Sequence, residues 1–266
     1  MSITSHLDIA FASTPECELS LDLHLPDGVA DAPLVMYIHG GGWRNGTRKR
    51  CPLDWLPAQG YALASVDYRL SDQAVFPAQI HDCKAALRWL RAHADDYGYD
   101  ASRVVVSGSS AGGHLALLMG LTAGHPELDG AVGLHGDQST AVHAVIDYFG
   151  PSDFILRAQS HPARTLPPDS PVFRLLGGSV LEHPELARLA SPAFHVDADS
   201  PPLLVYQGDA DVTVYPDQSE RIVALYREHG LDVTYIIVPG AAHGGPAYHD
   251  ETNRPRTLDF LARVYR

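Results

Sequence analysis

Cysteine is scarce in this chain: Cys17, Cys51 and Cys83 are odd in number and form no C-x-x-C pair. That argues against both a disulfide framework and a cysteine-based zinc site. Positive charge is also in short supply. With 19 basic against 32 acidic residues the formal charge is −13, which repels phosphate backbones and anionic membranes, so neither nucleic acid nor a membrane is expected as a partner. No run of about 18 apolar residues occurs, and Met1 to Ala10 shows no cationic stretch leading into an apolar segment. The expectation is a soluble, unexported, cytoplasmic protein. No Walker lysine accompanies the glycine-rich segments at 40–45 and 108–113, which argues against nucleotide binding.

Apolar residues are plentiful, at 45% of 266, enough to bury the core of one large α/β domain spanning 1–266. Cys17 to Leu25 alternates strictly, with Cys17, Leu19, Leu21, Leu23 and Leu25 on one side, and reads as a half-solvated strand at an antiparallel edge. By contrast Leu34 to Ile38, Tyr61 to Val66, Arg103 to Val106, Ala141 to Tyr148, Leu203 to Tyr206 and Val233 to Val238 are short and mostly apolar, as expected of parallel strands buried on both faces. Helical spacing separates them, for example Ile80, Cys83, Leu87 and Leu90. Alternating strands and helices predict a mostly parallel sheet covered on both faces, with functional residues on loops after the strands. Residues 150–192 break the rhythm with seven prolines and no long strand, which reads as an insertion, either a lid or a rigid surface decoration.

Ser110 is the centre of Gly108-Ser109-Ser110-Ala111-Gly112, after the apolar run Val104–Val106 and before the helix-compatible stretch Gly113 to Leu121. This is the wiring of a nucleophile elbow, in which a tight strand-to-helix turn exposes a serine hydroxyl. A serine needs a base to remove its proton, and the base needs a third group to hold its tautomer. Asp209 and Asp211 follow the strand Leu203 to Tyr206, and His243 follows Val233 to Val238 in a glycine-rich loop. Asp211 lies further into its loop and is the expected acid, while Asp209 is better placed to stabilise the turn. His39-Gly40-Gly41-Gly42-Trp43 follows another strand, and its bare backbone predicts an oxyanion hole from the Gly41 and Gly42 amides together with that of Ala111. His39 itself is expected to support the loop.

The motifs HGGGW at 39–43, DYRL at 67–70, GSSAGGHLA at 108–116, GDADVTV at 208–214 and PGAAHGG at 239–245 together resemble the α/β-hydrolase superfamily, and within it the hormone-sensitive-lipase-like and feruloyl-esterase-like (BD-FAE) carboxylesterases. The resemblance implies an eight-stranded, mostly parallel sheet with helices on both faces, and the same Ser110, Asp211 and His243. It implies no cofactor and no metal. Larger lipase-like relatives carry a longer segment ahead of HGGG, so here the 150–192 insertion is expected to provide most of the cover. Trp43, Phe149, Phe154 and Tyr215 fall just after strand ends and are candidates to wall a pocket for small or short-acyl esters. The resulting expectation is a serine carboxylesterase acting through an acyl-enzyme. The alternatives are an amidase or formamidase resembling the kynurenine formamidases, and a non-catalytic ligand-binding protein on the same fold.

Overall fold

The computed structural model describes residues 2–266. Eight strands, β1 (Ile3–Ser13), β2 (Glu18–Pro26), β3 (Ala32–Ile38), β4 (Ala62–Val66), β5 (Tyr99–Ser109), β6 (Ala144–Tyr148), β7 (Leu203–Gly208) and β8 (Val233–Val238), form one sheet in the order β1-β2-β4-β3-β5-β6-β7-β8. Pairing is antiparallel from β1 to β2 and from β2 to β4, and parallel everywhere else. Helices α1 (Ala78–Ala92), α2 (Ala94–Tyr97), α3 (Ala111–Leu121), α4 (Phe154–Ser160), α5 (Pro162–Thr165), α6 (Pro171–Leu176), α7 (Pro184–Leu189), α8 (Pro216–Glu228) and α9 (Asn253–Val264) fill the connections. No helix among the described residues is long and apolar enough to cross a membrane.

The two-residue period of β3 shows how the sheet is covered. Leu34, Met36 and Ile38 face one core with side chains of α1, α3 and α8, whereas Val35 and Tyr37 face a second core with Phe260 and Leu261 of α9. Successive side chains of a strand point to opposite faces, so a strand buried on both is mostly apolar. All five residues of β4 and of β6 are buried accordingly.

Two expectations need correcting at the margins of the sheet. β2 is not the edge strand, because β1 lies outside it. β1 gave little signal: its residues are mostly exposed, and register shifts between His6 and Ile9 and between Ala10 and Ala12 interrupt any alternation. At Asp8 the chain takes a φ of 57°, and Arg48, which also pairs with Asp22 and Asp67, ties Asp8 back to the body of the protein. At the other margin β8 is an edge and not a strand buried on both faces; Ile237 is 51% exposed. The 150–192 segment carries α4 to α7, and Phe154, Leu175 and Ala187 anchor it in the larger core.

Asp147, on the interior strand β6, is fully buried. Its Oδ1 accepts the Gly150 N–H at 2.9 Å, and its Oδ2 has no partner. Burial pushes the carboxyl up to about 7, because charge is disfavoured in a low-dielectric interior. The folded chain therefore holds this proton more tightly than the unfolded chain. Its contribution to stability falls as pH rises from about 4, the ordinary carboxyl value, to about 7, and then levels off. Asp147→Asn removes the ionisation, so its melting temperature relative to the parent should rise between pH 4.5 and pH 8. An equal difference at both pH values, measured by thermal denaturation, would contradict this.

Candidate active site

The chain passes from β5 into α3 through a single residue. Ser110 alone makes the turn, at φ 56° and ψ −118°, and its N–H donates to Tyr148 O at 2.8 Å. Such a conformation is costly for a residue with a side chain and persists only where the surroundings enforce it. Here the enforcement is close packing of backbone. A Cβ on Gly108 would lie 2.2 Å from Gly112 O, and one on Gly112 would lie 2.0 Å from Ile38 O. The start of α3 therefore rests directly on the end of β3, which brings the following HGGGW loop beside the serine.

His243 reaches the same point from the loop after β8. Its Nε2 is 2.8 Å from Ser110 Oγ, and its Nδ1 is 2.6 Å from Asp211 Oδ2. The Asp211 side chain is fully buried, and its Oδ1 accepts the N–H groups of Thr213 at 2.8 Å and Val214 at 3.0 Å. An ionised carboxylate can only accept, so Nδ1 carries the proton that faces it and Nε2 is left to accept from the Ser110 hydroxyl. Gln207 supports the loop with donations to Gly208 O and Val214 O. Asp209 does not join this chain of contacts; its Oδ1 accepts the Gly240 N–H at 2.6 Å.

The loop after β3 turns on Gly41, whose carbonyl accepts from the N–H groups of Arg44 and Asn45. A Cβ on Gly41, at φ 121°, would lie 2.0 Å from Asn45 O. Among the described residues the amides of Gly41, Gly42 and Ala111 donate to no acceptor, and all three residues line one pocket with Ser110 and His243. The Ala111 donor is at the N-terminus of α3, where the helix dipole favours negative charge, and the two glycine donors come from the loop after β3. His39 braces the loop instead of facing the serine. Its Nδ1 is 2.8 Å from Gly40 O, its ring stacks on Tyr68, and Tyr68 donates to its carbonyl.

The pocket measures about 820 Å³. Trp43 and Phe149 lie on its wall, and Phe149 also meets the His243 ring with centroids 4.8 Å apart. Phe154 and Tyr215 do not line it. Phe154 is fully buried behind the wall, edge-on to Trp43 and stacked on His114, and Tyr215 stacks on His161 at 3.7 Å. Both follow strands as expected, but helix starts, α4 for Phe154 and α8 for Tyr215, turn them into packing roles. Pro171 and Val172 of the insertion contribute to the wall. Sequence reasoning missed three arginines of the lining, Arg44, Arg157 and Arg254. No local pattern distinguishes them from the other arginines, and only the assembled pocket groups them.

Comparison with known proteins places these features in context. The BD-FAE family model matches residues 21–225. Esterase LipC of Mycobacterium tuberculosis is 36% identical over 220 residues, 80% of this chain and 53% of LipC. The probable carboxylic ester hydrolase LipM of the same organism is 32% identical over 253 residues, 90% of this chain and 56% of LipM. The chain thus spans about half the length of the curated relatives it matches. Among solved structures, a truncated form of a carbohydrate esterase from gut microbiota is similar with a TM-score of 0.88 at 31% identity, covering 98% of this chain and 96% of that one. Est2 of Thermogutta terrifontis, with propionate bound, has a TM-score of 0.80 at 22% identity, covering 97% and 93%, and shares the fold. The sheet described above is that of an α/β-hydrolase.

The elbow geometry predicts an outcome independent of activity. Gly112→Ala places a methyl group 2.0 Å from Ile38 O, and neither main chain can yield without disturbing β3 or α3. Urea denaturation should show a loss of about 3 kcal/mol or more; a loss below about 1 kcal/mol would mean that the close approach is not a constraint.

Proposed function

The chain belongs to the BD-FAE family of α/β-hydrolases, and on that premise we propose that it is a serine carboxylesterase acting on small or short-acyl esters. The observation that carries the reading is the unbroken series of contacts from Asp211 through His243 to Ser110. Ser110 Oγ adds to the ester carbonyl carbon while His243 Nε2 takes the hydroxyl proton. The oxyanion that forms is received by the Gly41, Gly42 and Ala111 N–H groups, each worth about 3 to 4 kcal/mol in such a role. Collapse breaks the bond to the alcohol oxygen, and the alcohol leaves with the proton that His243 returns. Water then adds to the acyl-enzyme by the same route, releasing the carboxylic acid and restoring Ser110. Asp211 holds the imidazole tautomer and stabilises the imidazolium formed in each half.

Trp43 and Phe149 on the wall support the short-acyl preference, since rigid aromatic surface beside the nucleophile limits the space for a flexible chain. Hydrolysis of p-nitrophenyl esters tests the proposal. Ser110→Ala should reduce kcat by about 10³-fold or more and abolish labelling by a fluorophosphonate; undiminished turnover would refute the assignment. Asp211→Asn should impair kcat far more than Asp209→Asn. Acetate and butyrate esters should exceed the dodecanoate ester in kcat/KM by about tenfold, and the reverse order would contradict the acyl preference.

A further inference from the structure

The charge of the pocket runs against the charge of the chain. Acidic residues outnumber basic ones by 32 to 19, yet the lining includes Arg44, Arg157 and Arg254 and not one Asp or Glu. None of the three has a carboxylate within 4 Å among the described residues, although five other arginines do. Each donates only to a main-chain carbonyl: Arg44 to Asp169 O, Arg157 to Thr213 O, and Arg254 to His249 O.

Arg157 stands apart from the other two. Arg44 and Arg254 are exposed, whereas Arg157 is 7% exposed. Its Nη2 donates to Thr213 O at 2.7 Å, and its Nε and Nη1 have no acceptor. The two carboxylates that act on it from further away lie beyond 4 Å: Asp217 gives its Oδ2 to His161 and keeps a buried, unpaired Oδ1, and Asp211 is paired with His243. A nearly buried guanidinium with two unused donors is expensive to keep unless something pairs with it. Guanidinium donors match the two oxygens of a carboxylate.

Resting on the esterase reading above, we infer that the pocket takes an ester bearing a second, free carboxylate, held at Arg157 while Ser110 attacks the ester carbonyl. The reaction is the hydrolysis already described; the carboxylate is bound and not transformed. Arg44 and Arg254, exposed at the pocket, attract the anion in a protein whose net charge would otherwise repel it.

The test compares matched esters. With the charge on the acyl side, p-nitrophenyl hemisuccinate is set against p-nitrophenyl butyrate; with the charge on the alcohol side, 4-acetoxybenzoate is set against phenyl acetate. For at least one pair Arg157→Gln should lower the charged-to-neutral ratio of kcat/KM by about tenfold or more, and Arg157→Lys should restore part of it. The responsive pair identifies which side of the ester carries the carboxylate. Added salt should weaken the charged arm selectively, and less so in an Arg44→Gln, Arg254→Gln double variant. If Arg157 serves only as a strut beneath the Asp211 loop, both members of each pair fall together and the ratio stays constant, which overturns the inference while leaving the esterase reading intact. If the unaltered protein hydrolyses no ester and Ser110 resists a fluorophosphonate, the esterase reading fails and this inference with it.

Discussion

The contact of Gly112 with Ile38 O governs the rest of the site. A parallel sheet sends successive strands out through the same edge, but that alone leaves their loops several ångströms apart. By bringing α3 onto the end of β3 without an intervening side chain, the fold places two loops distant in sequence against each other. One supplies Ser110 and the Ala111 amide, and the other supplies the Gly41 and Gly42 amides. The free N–H groups of a helix start and of a glycine loop thereby share one pocket.

Backbone strain gathers around that pocket. Of the five non-glycine residues with positive φ among the described residues, three line it: Trp43 at 55°, Ser110 at 56° and Phe149 at 47°. Each is fixed by packing from behind. Trp43 meets Phe154 and His114, Ser110 hangs from Tyr148 O, and Phe149 abuts Tyr248. Residues held away from their preferred backbone regions are costly, and their concentration beside Ser110 is the pattern of a pre-organised site.

Seven of the eight strands were legible because burial on one or both faces writes itself into apolar periodicity. β1 was not, because a bulged and largely exposed strand has no period to read. Val233 to Val238 reads as buried because Ile236, Ile237 and Val238 resemble a core run; only the strand order reveals that β8 ends the sheet. Ser110, Asp211 and His243 were legible as positions after strands, a topological property. The walls of the pocket were only half so: Trp43 and Phe149 line it, whereas Phe154 and Tyr215 satisfy the same positional rule and point elsewhere. Direction is set by the helix that follows, and Arg157 shows the converse: a residue with no motif, made significant by what surrounds it.

The marginal place of β8 has a consequence for durability. Ser110 is rooted in the middle of the sheet, between strands paired on both sides, whereas His243 is suspended from a border strand with only β7 as neighbour. Fraying costs least at such borders. On warming, the imidazole will drift from the hydroxyl while most of the sheet is still intact, so the contact between His243 and Ser110 is lost ahead of global melting.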